Sequence, residues 1–345
     1  MTEPTETGRP SRRDVVRGAA AVGAFLAVDA GALLTAFNWV GPKRITPQAF
    51  LDAFNKAFGR HHGYRTNHAK GVSVIGWFDS NGNGTELSTA TVFAPGRTPV
   101  IGRFSAAGGN PHTVDSSGTG RGLGLAFGFP GSDQWRTAML NLPVFPDPSP
   151  QSMYDRLAAT VPDPKTGKPD PAAMTRFYAA HPPAARAMAI LKQFKPTPGF
   201  ADSTFSGLIA FYFVNAAGQR LPVRWALTPL QQALPPSTGP DALFGPLVEQ
   251  LRAGPLRWRL MLTVGKPSDP TTDATLPWPA DRRTVDAGVL TLDTVADDGR
   301  GNARDINFDP LVLPPGIEPS DDPLLSARSA VYAASYRRRT GENTL

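Results

Sequence analysis

Cysteine is absent from this 345-residue chain. That excludes disulfides, thiolate metal ligands and any cofactor tethered through a Cys-X-X-Cys-His word, and leaves the compartment open. Histidine is scarce, with five residues, so each has to be placed. No lysine-rich run or RNA-binding word accompanies the net charge of +6. The positive charge is scattered, which argues against a nucleic-acid face. Internal repeats and low-complexity tracts are lacking beyond the N-terminal region. Proline and glycine are plentiful, at 36 and 34, and hydrophobic residues make up 41%. This composition predicts a sizeable core with long irregular connections.

Two segments follow from the composition shift. Residues 1–44 open with a polar stretch, and Ser11-Arg12-Arg13-Asp14-Val15-Val16 then resembles a twin-arginine export signal. An apolar run over 18–40 follows, broken by Asp29. Signal-peptide cores need about 7–15 apolar residues and spanning helices about 20, so the run can serve as a cleaved signal or as a membrane anchor. The expectation is an exported or periplasmic protein that uses the twin-arginine machinery, with 18–40 as the candidate anchor to the inner membrane. Residues 45–345 are the expected globular core.

Within that core, Thr46-Pro47 starts a helix in which Phe50, Phe54 and Phe58 recur every fourth residue, ending near Gly59. Apolar and β-branched runs at 72–78, 90–94, 99–104, 122–129 and 135–140 read as short strands, with a turn cluster at 79–84. Helices are expected at 151–159, 172–180, 184–194 and 241–252. Strands return at 205–214, 221–227, 256–264 and 285–295, and 302–319 reads as irregular. Short strands separated by turn signals argue for an antiparallel sheet or barrel, hence an α+β class.

The most structured stretch lies near the end. Asp322 caps a helix, Pro323 suits its first position, Arg337, Arg338 and Arg339 occupy its last turn, and Gly341 ends it. Arg328 and Tyr332 are four apart and share a face, and Arg339 falls near the same stripe.

The words Arg328-x-x-x-Tyr332 and Arg339-x-Gly341-x-Asn343, preceded by Pro315-Gly316-Ile317-Glu318-Pro319-Ser320, resemble the proximal haem helix of haem catalases. Further words occur in that family's order. Asn67-His68-Ala69-Lys70-Gly71 resembles the distal-histidine word, and Arg103-Phe104-Ser105 the Arg-Phe-Ser strand. Arg121-Gly122-Leu123, Asn141-Leu142-Pro143-Val144-Phe145, Phe213-Val214-Asn215 with Gly218, and Phe308-Asp309-Pro310 follow. The resemblance implies an antiparallel β-barrel with surrounding helices and a C-terminal proximal helix. It implies haem b as cofactor, with Tyr332 as the iron's axial ligand. Ferric iron and the Arg328 guanidinium would both favour the phenolate.

The same resemblance implies the remaining roles. His68 would move a proton between the two oxygens of a peroxide. Ser105 would fix the orientation of His68 through its other ring nitrogen. Asn141 would donate to the bound peroxide. Arg65, Arg103 and Arg339 would pair with haem carboxylates.

Departures from the family pattern shape the expectation further. Asn67 stands where a small apolar residue is usual, and Leu142 replaces a threonine. Pro146-Asp147 interrupts a phenylalanine-rich segment, and an Asn-Asn pair is reduced to Leu140-Asn141. The matching words stop at Asn343, so the extra C-terminal domains of large catalases and their threading N-terminal arm are expected to be missing. The pattern is similar to the small catalase-related peroxidases of bacteria. The expected activity is reduction of hydrogen peroxide and organic hydroperoxides by an organic electron donor, with weak or no dismutation. Two alternatives stand beside it: a hydroperoxide-rearranging enzyme in the manner of allene oxide synthases, and a non-enzymatic exported haem-binding protein. The joint presence of His68, Ser105 and Asn141 favours catalysis over carriage.

Overall fold

The computed structural model describes residues 45–116, 118–128 and 133–342; the expected export segment and Asn343 lie outside them. In chain order the elements are helix α1 (Pro47–Phe58), strands β1 (Gly71–Ser80), β2 (Gly96–Ala106), β3 (Arg121–Phe127) and β4 (Trp135–Leu140), helices α2 (Pro150–Ala159), α3 (Pro171–Ala180) and α4 (Pro182–Gln193), strands β5 (Phe205–Val214) and β6 (Arg220–Pro229), helix α5 (Phe244–Ala253), strands β7 (Leu256–Val264), β8 (Thr284–Asp297) and β9 (Ile317–Pro319), and helix α6 (Pro323–Gly341).

The strands run in the order β4-β3-β2-β1-β8-β7-β6-β5, every pairing antiparallel. A further pairing, Leu140 to Ser206, joins β4 to β5 and closes eight strands into a barrel. β9 adds outside this ring, on β5. Closure leaves the eight strands no free edge.

Strand alternation sorts side chains between the two faces. Phe104, Leu123, Leu125, Phe127, Trp135, Phe205, Phe213 and Trp225 all belong to the one large buried cluster. Phe127 stacks on Trp135 at 4.9 Å between centroids, and Trp225 meets Trp135 edge-on at 5.0 Å. The Trp225 indole N–H donates to Thr137 Oγ1 at 3.2 Å, which satisfies a polar atom inside the cluster. The alternate residues of β3 are Gly122, Gly124 and Ala126, so its outer face is nearly bare. Ala126 packs there with Ala303 and Phe308.

Two sequence expectations are corrected. The run at 90–94 is a 3-10 turn at Thr91–Phe93, not a strand. Val92 and Phe93 are adjacent and both buried, an arrangement an alternating, one-sided strand does not allow. Residues 317–319, read as irregular, form β9; three residues are too few to carry an alternation.

Helix α6 follows the expected pattern. The Asp322 carboxylate accepts from Leu324 N at 2.8 Å, Pro323 opens the helix, and Arg338 and Arg339 sit in its last turn. α1 buries Phe50 and Phe54, the same two phenylalanines its fourfold spacing puts on one face.

Candidate active site

One register row on the outer face of the barrel positions the site. Gly71, Ser105, Gly122, Leu140 and Ser206 are successive partners across β1, β2, β3, β4 and β5. Partners in a ladder carry their side chains on the same face. A Cβ at Gly122 would lie 2.9 Å from Ser105 Oγ and 3.1 Å from both Cε1 and Nδ1 of His68. The absent side chain is the space in which the imidazole lies. The neighbouring row, Ser73, Arg103, Gly124 and Ala138, is likewise small at β3, where a Cβ at Gly124 would meet the Phe308 ring at 2.9 Å.

His68 precedes β1 in a left-handed backbone conformation, φ 57°, and among the described residues it is alone in this among non-glycines. Such a conformation costs about 1–3 kcal/mol and persists only where the surroundings impose it. The surroundings are visible. Ala69 N donates to Gly108 O at 2.9 Å. The buried Arg103 donates from Nη1 to His68 O at 2.8 Å and from Nη2 to Ala69 O at 3.0 Å.

The imidazole itself pairs Nδ1 with Ser105 Oγ at 3.1 Å, and Ser105 Oγ also reaches Gly122 O at 3.4 Å. A carbonyl can only accept, so the Ser105 proton points to Gly122 O and its oxygen accepts from Nδ1–H. That arrangement leaves the His68 Nε2 lone pair free. Burial, then the charges of Arg103, Arg65 and Arg328, push the His68 pKa from its ordinary value down to about 3. The ring is therefore neutral across physiological pH.

Arg328 and Tyr332 meet as the helical spacing predicts, with Arg328 Nη2 donating to Tyr332 Oη at 3.2 Å and to Ala138 O at 3.4 Å. Arg65, Arg103 and Arg339 form a guanidinium cluster. Burial and the charges of Arg339 and Arg103 lower the Arg65 pKa well below its ordinary value, and burial together with Arg103 and Arg304 lowers that of Arg339 to about 10. Arg65 donates from Nη2 to Ala303 O and Ile306 O, both at 2.9 Å, but its buried Nε has no hydrogen-bond partner.

His68, Ser105, Arg328, Tyr332, Arg65, Arg103 and Arg339 line one cavity, with Phe50 and Phe54 from α1, Phe145, and Met153 from α2 completing its wall. Confined cationic charge that repels itself is the signature of a site for an anionic ligand.

The structure places two of the expected residues differently. Asn141 does not line the cavity; Leu140 does. The Asn141 carboxamide oxygen accepts from Arg121 N at 2.7 Å and the Asn141 backbone N–H donates to Arg121 O at 2.9 Å, which ties the residue to the start of β3. Leu140, the last residue of β4, pairs with Gly122 and shares its face, and Asn141 follows just past the strand end. Arg103 lines the cavity, yet its Nε, Nη1 and Nη2 are all engaged with Asp298, His68 O and Ala69 O. These bonds make it a clamp on the His68 loop. Sequence reasoning also missed the Gly122 and Gly124 cradle, although glycines two apart in a strand signal one bare face.

Comparison with known proteins agrees with this geometry. A family model described as Catalase matches residues 34–242 and 251–345. The chain is 38% identical over 302 residues to a catalase-related peroxidase of Synechococcus elongatus, covering 86% of this chain and 89% of that protein. It is 31% identical to a catalase-related peroxidase of Mycolicibacterium paratuberculosis, covering 86% of this chain and 96% of that one. Among solved structures, a bacterial catalase superposes with a TM-score of 0.71 at 22% identity, and catalase A from Saccharomyces cerevisiae with 0.72 at 20%. Each match covers 87% of this chain, which spans 62% and 66% of those two catalases, under two thirds of their length.

Proposed function

Since this chain belongs to the catalase family, we propose that it is a haem peroxidase that reduces organic hydroperoxides, and hydrogen peroxide less well, with an organic electron donor. The balanced reaction is ROOH + AH2 → ROH + A + H2O. The observation that carries the reading is the convergence on one cavity of the His68–Ser105 pair, the Arg328–Tyr332 pair and the under-neutralised Arg65–Arg339 cluster.

The residues present fit haem. The His68 imidazole over Gly122 and the Phe308 ring over Gly124 give the cavity two flat rings against which a planar group can lie. The unpartnered Arg65 Nε and the lowered pKa of Arg339 suit the two carboxylates of the porphyrin. Tyr332 Oη, held by Arg328, is the oxygen available as iron ligand. Bound there, haem supplies a redox-active iron able to accept the oxidising equivalents of the O–O bond.

The chain's own residues handle the proton and the substrate. The free Nε2 lone pair of His68 takes the hydroperoxide proton and returns it to the departing oxygen, so that oxygen leaves as neutral alcohol or water. A pKa of about 3 makes His68 a weak base and a ready acid. Carboxylates entering beside Arg65 would raise it, because the arginine charges are among the causes of its depression. The apolar wall of Phe50, Phe54, Leu140, Phe145 and Met153 excludes water and suits a carbon substituent on the peroxide.

Oxygen release from hydrogen peroxide and oxidation of a phenolic donor with cumene hydroperoxide, measured on one preparation, test the proposal. Donor oxidation should exceed oxygen release. Vigorous oxygen release with negligible donor oxidation would restore dismutation as the main reaction, and a rearranged product in place of alcohol would replace reduction by isomerisation.

A further inference from the structure

We propose that Leu140 is the residue that sets the preference for hydroperoxides with an alkyl substituent over hydrogen peroxide. The inference rests on the peroxidase reading of the same site and assigns its selectivity to one side chain.

Position carries the argument. Leu140 stands next to Gly122 in the register row, and the His68 ring lies over Gly122. Adjacent strands are about 4.7–4.9 Å apart, so the isobutyl group rises immediately beside the imidazole. It is the one large side chain in the row Gly71, Ser105, Gly122, Leu140, Ser206. The residue that could have offered an amide donor, Asn141, does not line the cavity and is tied to the Arg121 backbone. The reacting oxygens thus meet a proton-transfer group on one side and hydrocarbon on the next position along the sheet.

The two substrates respond differently to that wall. Hydrogen peroxide carries no carbon to place against Leu140 and finds no hydrogen bond there. An alkyl hydroperoxide buries its first carbons on the isobutyl group, and each methylene buried is worth about a fourfold gain in affinity. An amide at this position would reverse the balance by donating to either peroxide and withdrawing the apolar contact.

A binding series on the haem-loaded ferric protein reads this without turnover. Straight-chain primary amines from methylamine to hexylamine are titrated by absorption, with affinity expressed per free amine. In the parent, affinity should rise about fourfold per methylene over the first carbons. Leu140→Asn and Leu140→Ala should flatten that rise to twofold or less, and Leu140→Met should keep it. In turnover, Leu140→Asn should lower the ratio of kcat/KM for an alkyl hydroperoxide to that for hydrogen peroxide about tenfold or more. Leu140→Ala should lower it without a gain on hydrogen peroxide. A methylene increment that stays the same in both Leu140→Asn and Leu140→Ala would overturn the assignment. The amine series uses no peroxide, so it decides the role of Leu140 separately from whether the parent reduces alkyl hydroperoxides.

Discussion

The two sides of the cavity are built in opposite ways. Tyr332 projects from a 19-residue helix with a carboxylate cap, a proline at its first position and arginines in its last turn. Its partner Arg328 is one helical turn away. The helix that carries Tyr332 is specified locally in sequence, and longer-range bonds such as Arg328 Nη2 to Ala138 O then tie it to the barrel. His68 sits in a loop with φ 57°, and its position depends on Arg103, Ser105, Gly108 and Gly122. Those residues lie 35 to 54 positions further along the chain. One side is held by repeated short-range bonds and the other by a few long-range ones that impose a strained conformation. A site needs both: a fixed anchor, and a proton-transfer group confined to one tautomer beside the substrate.

Removing the His68 imidazole, the proposed proton-transfer group, sharpens the contrast most. His68→Ala should keep haem while its rate with peroxide falls about 10²–10⁴-fold, as expected for loss of a general acid–base group. Stopped-flow absorption after peroxide addition measures it. A rate equal to the parent's would move proton transfer to another residue.

A smaller effect exposes a cost on the regular side. The Asp322 cap is buried, and its second carboxyl oxygen has no partner. Burial raises its pKa to about 6 against an ordinary 3.8; Arg328 and Arg224 act in the opposite sense, and Asp273 adds to the rise. The native state therefore holds this proton more tightly than the unfolded chain. The group's contribution to stability is greatest below about pH 4, falls as pH rises through 4 to 6, and is flat above that. Asp322→Asn keeps the acceptor for Leu324 N and removes the charge. It should raise stability by about 2–3 kcal/mol at pH 7.5 and by almost nothing at pH 4. Thermal unfolding of both proteins at the two pH values checks this, and an equal difference at both would show that the cap does not titrate in that range.

The same asymmetry explains what the sequence made legible. The α6 cap, the Arg328–Tyr332 pair and the phenylalanine stripe of α1 follow from spacing alone, because a helix brings residues three and four apart together. Strands β4, β5 and β7 begin and end where their apolar runs do. What could not be read was pairing across strands. Asn141 looked catalytic because it is the polar member of Leu140-Asn141, but the Leu140–Gly122 register decides which of the two faces His68. Arg103 looked like a ligand-pairing arginine because its bond to Asp298 spans 195 residues. In both cases residue type pointed toward the site, and a non-local contact fixed where the side chain sits.

The central claim is that Tyr332 holds the iron and that the helical side of the cavity is its anchor. The most direct measurement is the haem content and ferric absorption spectrum of Tyr332→Phe beside the parent, both loaded under the same conditions. The account predicts one haem per chain in the parent, and in the variant either lost haem or a spectrum shifted away from phenolate ligation. A variant with the parent's haem content and an unchanged spectrum would contradict it.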